Sequence, residues 1–432
     1  MTGGDERVVT GMKVTVLSQY YEPEPVHRPV DLAKHLAAAG HSVMVLTGFP
    51  QYPVGRTYPG YHVRGLTRQT LDGIPVVRAF EYPYHGKSVA RRVANYMSFA
   101  ASATVAGRFL PRPDVVYVRH PPLTIGLAAA ALSRVWRCPF VYDVQDIWPE
   151  SALLSGLMTE GAMVRLMRRI ERFVYRRAAR IIAVTPEARQ NIIGKGVPAD
   201  RVVVLPGWAD DSAFDRVPDA EVSSLREELG WAGRFVVVFA GNLGIVQGLD
   251  TIIEAAGILR RDRVLIALVG DGSERERLQE RVEREGLADS VRFLGMRPSA
   301  DMPKIFASAD ALLVHLKACE LDEYVVPAKI LSYLAAGRPV VAAMGGAGAR
   351  LLHDAQAGPV VAPERPGELA DAIRELQAKP AVERAALARC GLSFAREHCK
   401  RDRVIRLYEA LLQSASGVGG GIDTTTRTSP AA

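Results

Sequence analysis

His120 is followed by Pro121-Pro122 and preceded by the apolar, β-branched run Asp114–Val118. Two prolines exclude a helix and fix the backbone. The imidazole therefore stands at the carboxyl end of a strand, placed to hydrogen-bond a bound molecule or exchange a proton with it. Lys329 follows Pro327-Ala328 at the start of a helix whose apolar residues Ile330, Leu331, Leu334 and Ala335 share one face. Free N–H groups and the positive dipole end gather there, and Lys329 adds a full charge, which suits a phosphate. Asn242 and Gly244, in the loop opened by Gly241, follow a strand and precede a helix, so that loop can present N–H groups to a second phosphate oxygen. Gly270-Asp271-Gly272 is a similar strand-end turn. Asp146 and Glu150 flank Trp148, two hydroxyl-binding carboxylates beside an indole that can cover an apolar ring face. Each feature also has a plainer reading. A lone histidine is more often structural, glycine after a strand is usually just a turn, and a lysine on a helix is usually a solvated charge.

These residues need elements that hold them together. Lys13–Ser18, a helix at Pro29–Ala39 closed by Gly40, and His41–Thr47 make a βαβ unit and hence part of a parallel sheet. Further strands are expected at Ile74–Phe80, Phe140–Val144, Arg180–Val184 and Val202–Leu205, with helices at Val89–Phe109, Leu123–Val135 and from Gly161 to Arg180. The stretch Gly48–Tyr61, rich in Pro, Tyr and Gly, reads as a long functional loop. After Asp211 the pattern restarts, with strands at Phe235–Ala240, Val264–Val269, Val291–Leu294, Ala311–His315 and Val340–Met344. Gly337 and Pro339 end the helix that begins at Lys329. Two α/β domains are expected, joined near residues 207–216. Ligands of open α/β sheets bind beyond the carboxyl ends of the strands, where nearly every motif above lies. Two such edges facing each other would form a cleft.

Composition narrows the class. The chain has 432 residues, 48% apolar and 23% charged, with a net charge of +7. That charge is modest for the length and does not call for nucleic acid. Cys138, Cys319, Cys390 and Cys399 show no CxxC and no metal spacing, as expected of free thiols in a reducing cytosol. No signal-peptide h-region and no run of about 20 apolar residues is present. No GxGxxG follows the first strand, which argues against a dinucleotide-dependent dehydrogenase, and no Walker P-loop or GxSxG occurs. The helix from Gly161 carries a stripe of Arg165, Arg168, Arg169, Arg172 and Arg176 beside a stripe of Met163, Met167, Ile170 and Val174. A basic amphipathic helix of this kind suits an anionic membrane surface; a solvated face is the alternative.

The Tyr20-Tyr21 to Pro25 loop, LTGFPQYPVGRTYPGY from Leu46, DVQDIWPESA from Asp143, FAGNLGIVQGLD from Phe239, LVGDG from Leu268 and VPAKILSYLAAGRPVVA from Val326 occur in one order across residues 12–410. Together they resemble the GT-B-fold glycosyltransferases of the large retaining family four, and within it the WbuB-like, fucosamine-transferase-type branch. The resemblance implies an α/β fold of two Rossmann-like parallel-sheet domains. Residues 12–208 would hold the acceptor and 209–395 a nucleotide-sugar donor. A terminal helix at 396–413 would return to the first domain, between a disordered leader at 1–11 and a disordered tail at 414–432. His120 falls on the family's active-site histidine, which contacts the donor sugar. Lys329, with Pro327 and Ala328, falls on the diphosphate contact, and Gly241, Asn242 and Gly244 on the phosphate-facing loop. Gly270 and Asp271 complete the donor side, and Tyr20, Tyr21, Asp146, Trp148 and Glu150 the acceptor side. Many relatives carry Arg and Lys where this chain has Asn242 and Gln247, and an acid that grips the ribose where it has Ser332. The WbuB-like branch shares the Asn and Gln, so Lys329 would carry the diphosphate charge.

The activity implied is transfer of an N-acetylated hexosamine or deoxy-aminosugar, UDP-linked, to a lipid-linked glycan or small-molecule acceptor. Retention is expected, with no cofactor and no metal. The enzyme would be cytoplasmic, peripheral on the membrane through Arg165–Arg180. A nucleotide-sugar 2-epimerase of the same shape, and a catalytically degenerate sugar-nucleotide-binding protein, satisfy the same residues.

Overall fold

A computed structural model describes residues 11–86, 88–154, 158–209 and 217–418. The expected leader (up to residue 10), residues 210–216 of the expected linker and residues 419–432 of the expected tail lie outside them. The chain divides into two compact units: one runs to Leu205 and resumes at Ile405, the other spans Pro206–Val404.

The β-branched runs of the first unit form one sheet. Its strands are β1 (Lys13–Leu17), β2 (Ser42–Thr47), β3 (Leu66–Leu71), β4 (Ile74–Ala79), β5 (Val115–His120), β6 (Phe140–Val144), β7 (Arg180–Ala183) and β8 (Val202–Val204). Their order is β3-β4-β2-β1-β5-β6-β7-β8, parallel throughout except for β3. The central strands are buried on both faces, which is why they read as continuous apolar runs. The sequence reading missed β3. Its Leu-Thr-Arg-Gln-Thr-Leu is mostly polar because it is an edge strand, and it joins β4 through Asp72 and Gly73, both at positive φ. An Asp-Gly turn of that kind is a hairpin signal.

The strand at β7 begins at Arg180, so the basic helix ends earlier than expected, running Ala162–Arg177. The expected terminal segment 396–413 spans the end of one helix and most of the next. Residues 396–398 close the preceding helix, Ala381–His398, and the last helix runs Arg401–Ser416. It stops where Gly417 takes φ of 71°, the usual helix-ending conformation. From Ile405 onward this helix belongs to the first unit. Glu409 pairs with His35 at 2.9 Å and His41 at 3.0 Å, and the buried Tyr408 ring meets Tyr117 edge-on.

The second unit holds β9 (Phe235–Ala240), β10 (Val264–Val269), β11 (Val291–Gly295), β12 (Ala311–His315), β13 (Val340–Ala343) and β14 (Val360–Val361). The order is β11-β10-β9-β12-β13-β14, all parallel. Alternate residues of β9 serve the two faces. Val236 and Val238 pack into one core with Leu312, Ile330 and Leu334, and Val237 and Phe239 into the other with Ile252, Ile266 and Leu313.

Candidate active site

In the second unit the loops after β9, β10 and β12 converge on the start of the helix Ala328–Ala335. No side chain caps that helix. Lys329 is its second residue. The Lys329 ammonium donates to Gln247 Oε1 at 2.6 Å and lies 3.9 Å from the centre of the Phe239 ring. Among the described residues it meets no carboxylate. Burial without a counter-charge brings its pKa down to about 7. This is a desolvated cation held by an amide and a ring face, and an anion is the group that would complete it.

The glycines make that approach possible. Gly241 has φ of 139°, and a side chain there would start 3.1 Å from Lys329 Nζ. Gly270 has φ of 130°, and its missing Cβ would fall 2.0 Å from the Gly241 carbonyl oxygen. The turns after β9 and β10 are thus stacked backbone on backbone, tied by Leu243 N–H donating to the Asp271 carbonyl at 2.8 Å. Asn242 is exposed, and its amide makes no protein hydrogen bond among the described residues. Asp271 spends its carboxylate locally, accepting from the Gly272 N–H at 2.8 Å and facing Arg275 at 3.5 Å. The half-buried Ser332 hydroxyl makes no protein hydrogen bond among the described residues.

His315 was not singled out from the sequence. It ends β12, is fully buried, and its Nδ1 lies 2.7 Å from the Gln247 carbonyl oxygen while Nε2 has no partner among the described residues. Burial lowers its pKa. It props the short turn Ile245–Gln247 from below, and Gln247 in turn holds Lys329. Its position at a strand's carboxyl end, like that of His120, was the available signal.

In the first unit His120 is the last residue of β5, 2% exposed, its ring 5.7 Å from that of Tyr142. Burial, with Arg119 and Lys195 nearby, lowers its pKa to about 3, so the imidazole is neutral. Its Nδ1, Arg119 Nη1 and the Tyr142 hydroxyl are buried without hydrogen-bond partners among the described residues. The expected acceptor residues separate. Tyr20 is half-buried against Tyr52, with ring centres 5.1 Å apart. Tyr21 is 1% exposed and belongs to the core, so its ring is not available to an acceptor. Asp146 accepts from the Ser151 hydroxyl, and burial raises its pKa. Trp148 is half-buried beside it. Glu150 is held by Lys195 at 3.0 Å, and Lys195 also pairs with the buried Glu171 at 2.7 Å. Glu150 is therefore part of an ion cluster with Lys195 and Glu171.

The two halves match two family models, a glycosyl transferase 4-like domain over residues 26–208 and glycosyl transferases group 1 over residues 234–379. The Anabaena HepE structure in complex with UDP and glucose superposes with a TM-score of 0.70 at 22% identity, covering 93% of this chain and 100% of that one. The fold is thus GT-B, two Rossmann-like parallel-sheet halves. Among curated proteins, the chain is 28% identical over 343 residues to a protein of Escherichia coli K12 named as the colanic acid biosynthesis glycosyl transferase WcaI, covering 76% of this chain and 82% of that one. It is 31% identical over 255 residues to the alpha-D-kanosaminyltransferase of Streptomyces kanamyceticus, covering 58% and 64%. The chain belongs to the family-four GT-B glycosyltransferases and is an enzyme of that class.

Proposed function

We propose that the protein transfers an aminosugar, an N-acetylated hexosamine or a deoxy-aminosugar, from UDP to an acceptor hydroxyl with retention at the anomeric carbon, as in the WbuB-like branch. The observation that carries the donor reading is the desolvated Lys329 ammonium, without a carboxylate, beside glycine turns open to an anion. Lys329 and the helix start behind it stabilise the leaving diphosphate without a metal. Gly241, Asn242 and Gly244 face the phosphates, and Ser332 is an uncharged partner for the ribose. His120, neutral, hydrogen-bonds the donor sugar near the reacting carbon. No placed carboxylate pair serves as nucleophile and acid, so the departing phosphate itself takes the acceptor proton. HepE in complex with UDP and glucose supports the uracil nucleotide, and the kanosaminyltransferase supports an aminosugar. The acceptor is a lipid-linked glycan or a small molecule, and the basic helix Ala162–Arg177 brings the enzyme to an anionic membrane surface. The test is incubation of the purified protein with UDP-N-acetylglucosamine, with and without a pool of acceptors. Acceptor-dependent release of UDP, with an α-anomeric product by NMR, is the expected result. Release of a free sugar isomer without acceptor would favour the 2-epimerase.

A further inference from the structure

Three helices of the first unit, Val89–Gly107, Ile125–Trp136 and Ala162–Arg177, lie side by side. The contacts are close. Trp136 Nε1 donates to the Gly107 carbonyl at 3.1 Å, and a side chain at Gly126 would start 2.6 Å from Val174. The three carry two, one and six arginines respectively, and a single acid, Glu171, which is buried against Lys195. Their outward side is unusual in a second way. On the first helix Val93, Met97, Ala101 and Val105 recur every fourth residue and face solvent, with Val105 64% exposed and Phe109 just beyond at 70%. On the third, Val174 is fully buried and Met167 and Ile170 are half-buried, so most of the apolar stripe read from the sequence turns toward the protein, while Met163 at its start is 46% exposed. Leu166 and Phe173 stand out instead, 48% and 41% exposed, with Phe173 set among Arg169, Arg172, Arg176 and Arg177. Arg177 covers the Phe173 ring at 4.5 Å. Arg168 is taken by Glu160 at 2.7 Å, whereas Arg165, Arg169 and Arg176 have no acidic partner among the described residues.

We propose that this whole three-helix layer, and not the basic helix alone, is the membrane face of the protein. It seats on a bilayer rich in anionic lipid, with Met97, Val105, Phe109, Leu166 and Phe173 entering the headgroup–acyl boundary and the arginines pairing with lipid phosphates. Charge complementarity selects this occupant. An exposed apolar surface with arginines and no solvent-facing acid within the helices matches an anionic, amphipathic partner. A second copy of the same face would bring like charges together. The inference rests on the surface association proposed above and adds the apolar contacts and the second helix to it.

The test is co-sedimentation of the full chain with phosphatidylglycerol vesicles and with phosphatidylcholine vesicles, at low and at about 0.5 M salt. Three variants are compared: Arg169→Gln/Arg172→Gln/Arg176→Gln, Leu166→Ser/Phe173→Ser and Met97→Ser/Val105→Ser. UDP affinity serves as the check that each is folded. Each arginine removed should weaken partitioning into phosphatidylglycerol about fivefold. Each serine pair should weaken it at least tenfold, including at the higher salt, where the apolar part remains. If the arginine variant loses binding while both serine pairs bind as wild type, only charge is used, and the three-helix face is overturned while the basic-helix reading stands. If wild type stays in the supernatant at low salt, both fall, and the glycosyl-transfer assay remains a separate matter. Concentration-dependent dimerisation without lipid that the serine pairs abolish would assign the face to a second copy and overturn the proposal.

Discussion

Donor binding should depend on pH through Lys329, with a sign and slope that follow from its surroundings. In the free protein the ammonium is desolvated and titrates at about 7, below the ordinary lysine value. A diphosphate favours the charged form and raises the pKa in the complex. Only protonated Lys329 is competent to hold the phosphates, so the apparent Kd scales as one over the protonated fraction. Below pH 7 the affinity should be flat, and above it the Kd should rise about tenfold per pH unit until the pKa of the complex is reached. Between pH 6.5 and 8.5 the expected weakening is roughly 25-fold. Isothermal titration with an intact UDP-sugar suits the assay, because its diphosphate has no further ionisation in that range. Proton uptake on binding should appear as a buffer-dependent enthalpy. Lys329→Met removes a charge-assisted contact of about 1.5–3 kcal/mol, so it should bind roughly ten- to a hundredfold weaker at pH 6.5 and show no slope. The two curves should then converge toward pH 9. A wild-type Kd constant from pH 6.5 to 8.5, or a variant curve parallel to it, would refute the assignment of the diphosphate to Lys329.

Further expectations concern the other residues. His120→Ala should lower kcat by about two orders of magnitude and leave UDP affinity unchanged; a collapse of UDP binding would make the residue structural. Because burial holds the His120 pKa to about 3, the rate profile should show no acid limb near the ordinary histidine value. Gly270→Ala would set a Cβ 2.0 Å from the Gly241 carbonyl at a positive φ, so thermal unfolding should show a loss of about 2–4 kcal/mol together with weakened UDP binding. Activity should survive EDTA, and complete loss restored by Mg²⁺ or Mn²⁺ would contradict the metal-free reading of the leaving-group site.

Local pattern settled the framework. Apolar runs of β-branched residues became the parallel strands, Gly337 ended its helix at φ of 62°, and Lys329 fell at the helix start because Pro327 stands before it. These depend on neighbours a few residues away, and a sequence displays them directly. The polar residues were different. Tyr20 and Tyr21 are alike in sequence, yet in the loop after β1 one is half-buried and the other is core. Glu150 looked free until Lys195, 45 residues on, reached it. His315 and Phe239 gained their places beside Gln247 and Lys329 through strand order, which brings β9 and β12 together although residues 241–310 separate them. The helix Ala162–Arg177 shows the same limit, since its periodicity marks two stripes but packing on Gly126 decides which one meets water. Periodicity is set by bonds along the chain. Desolvation and ion pairing are sums over groups that only the tertiary fold brings within a few ångströms.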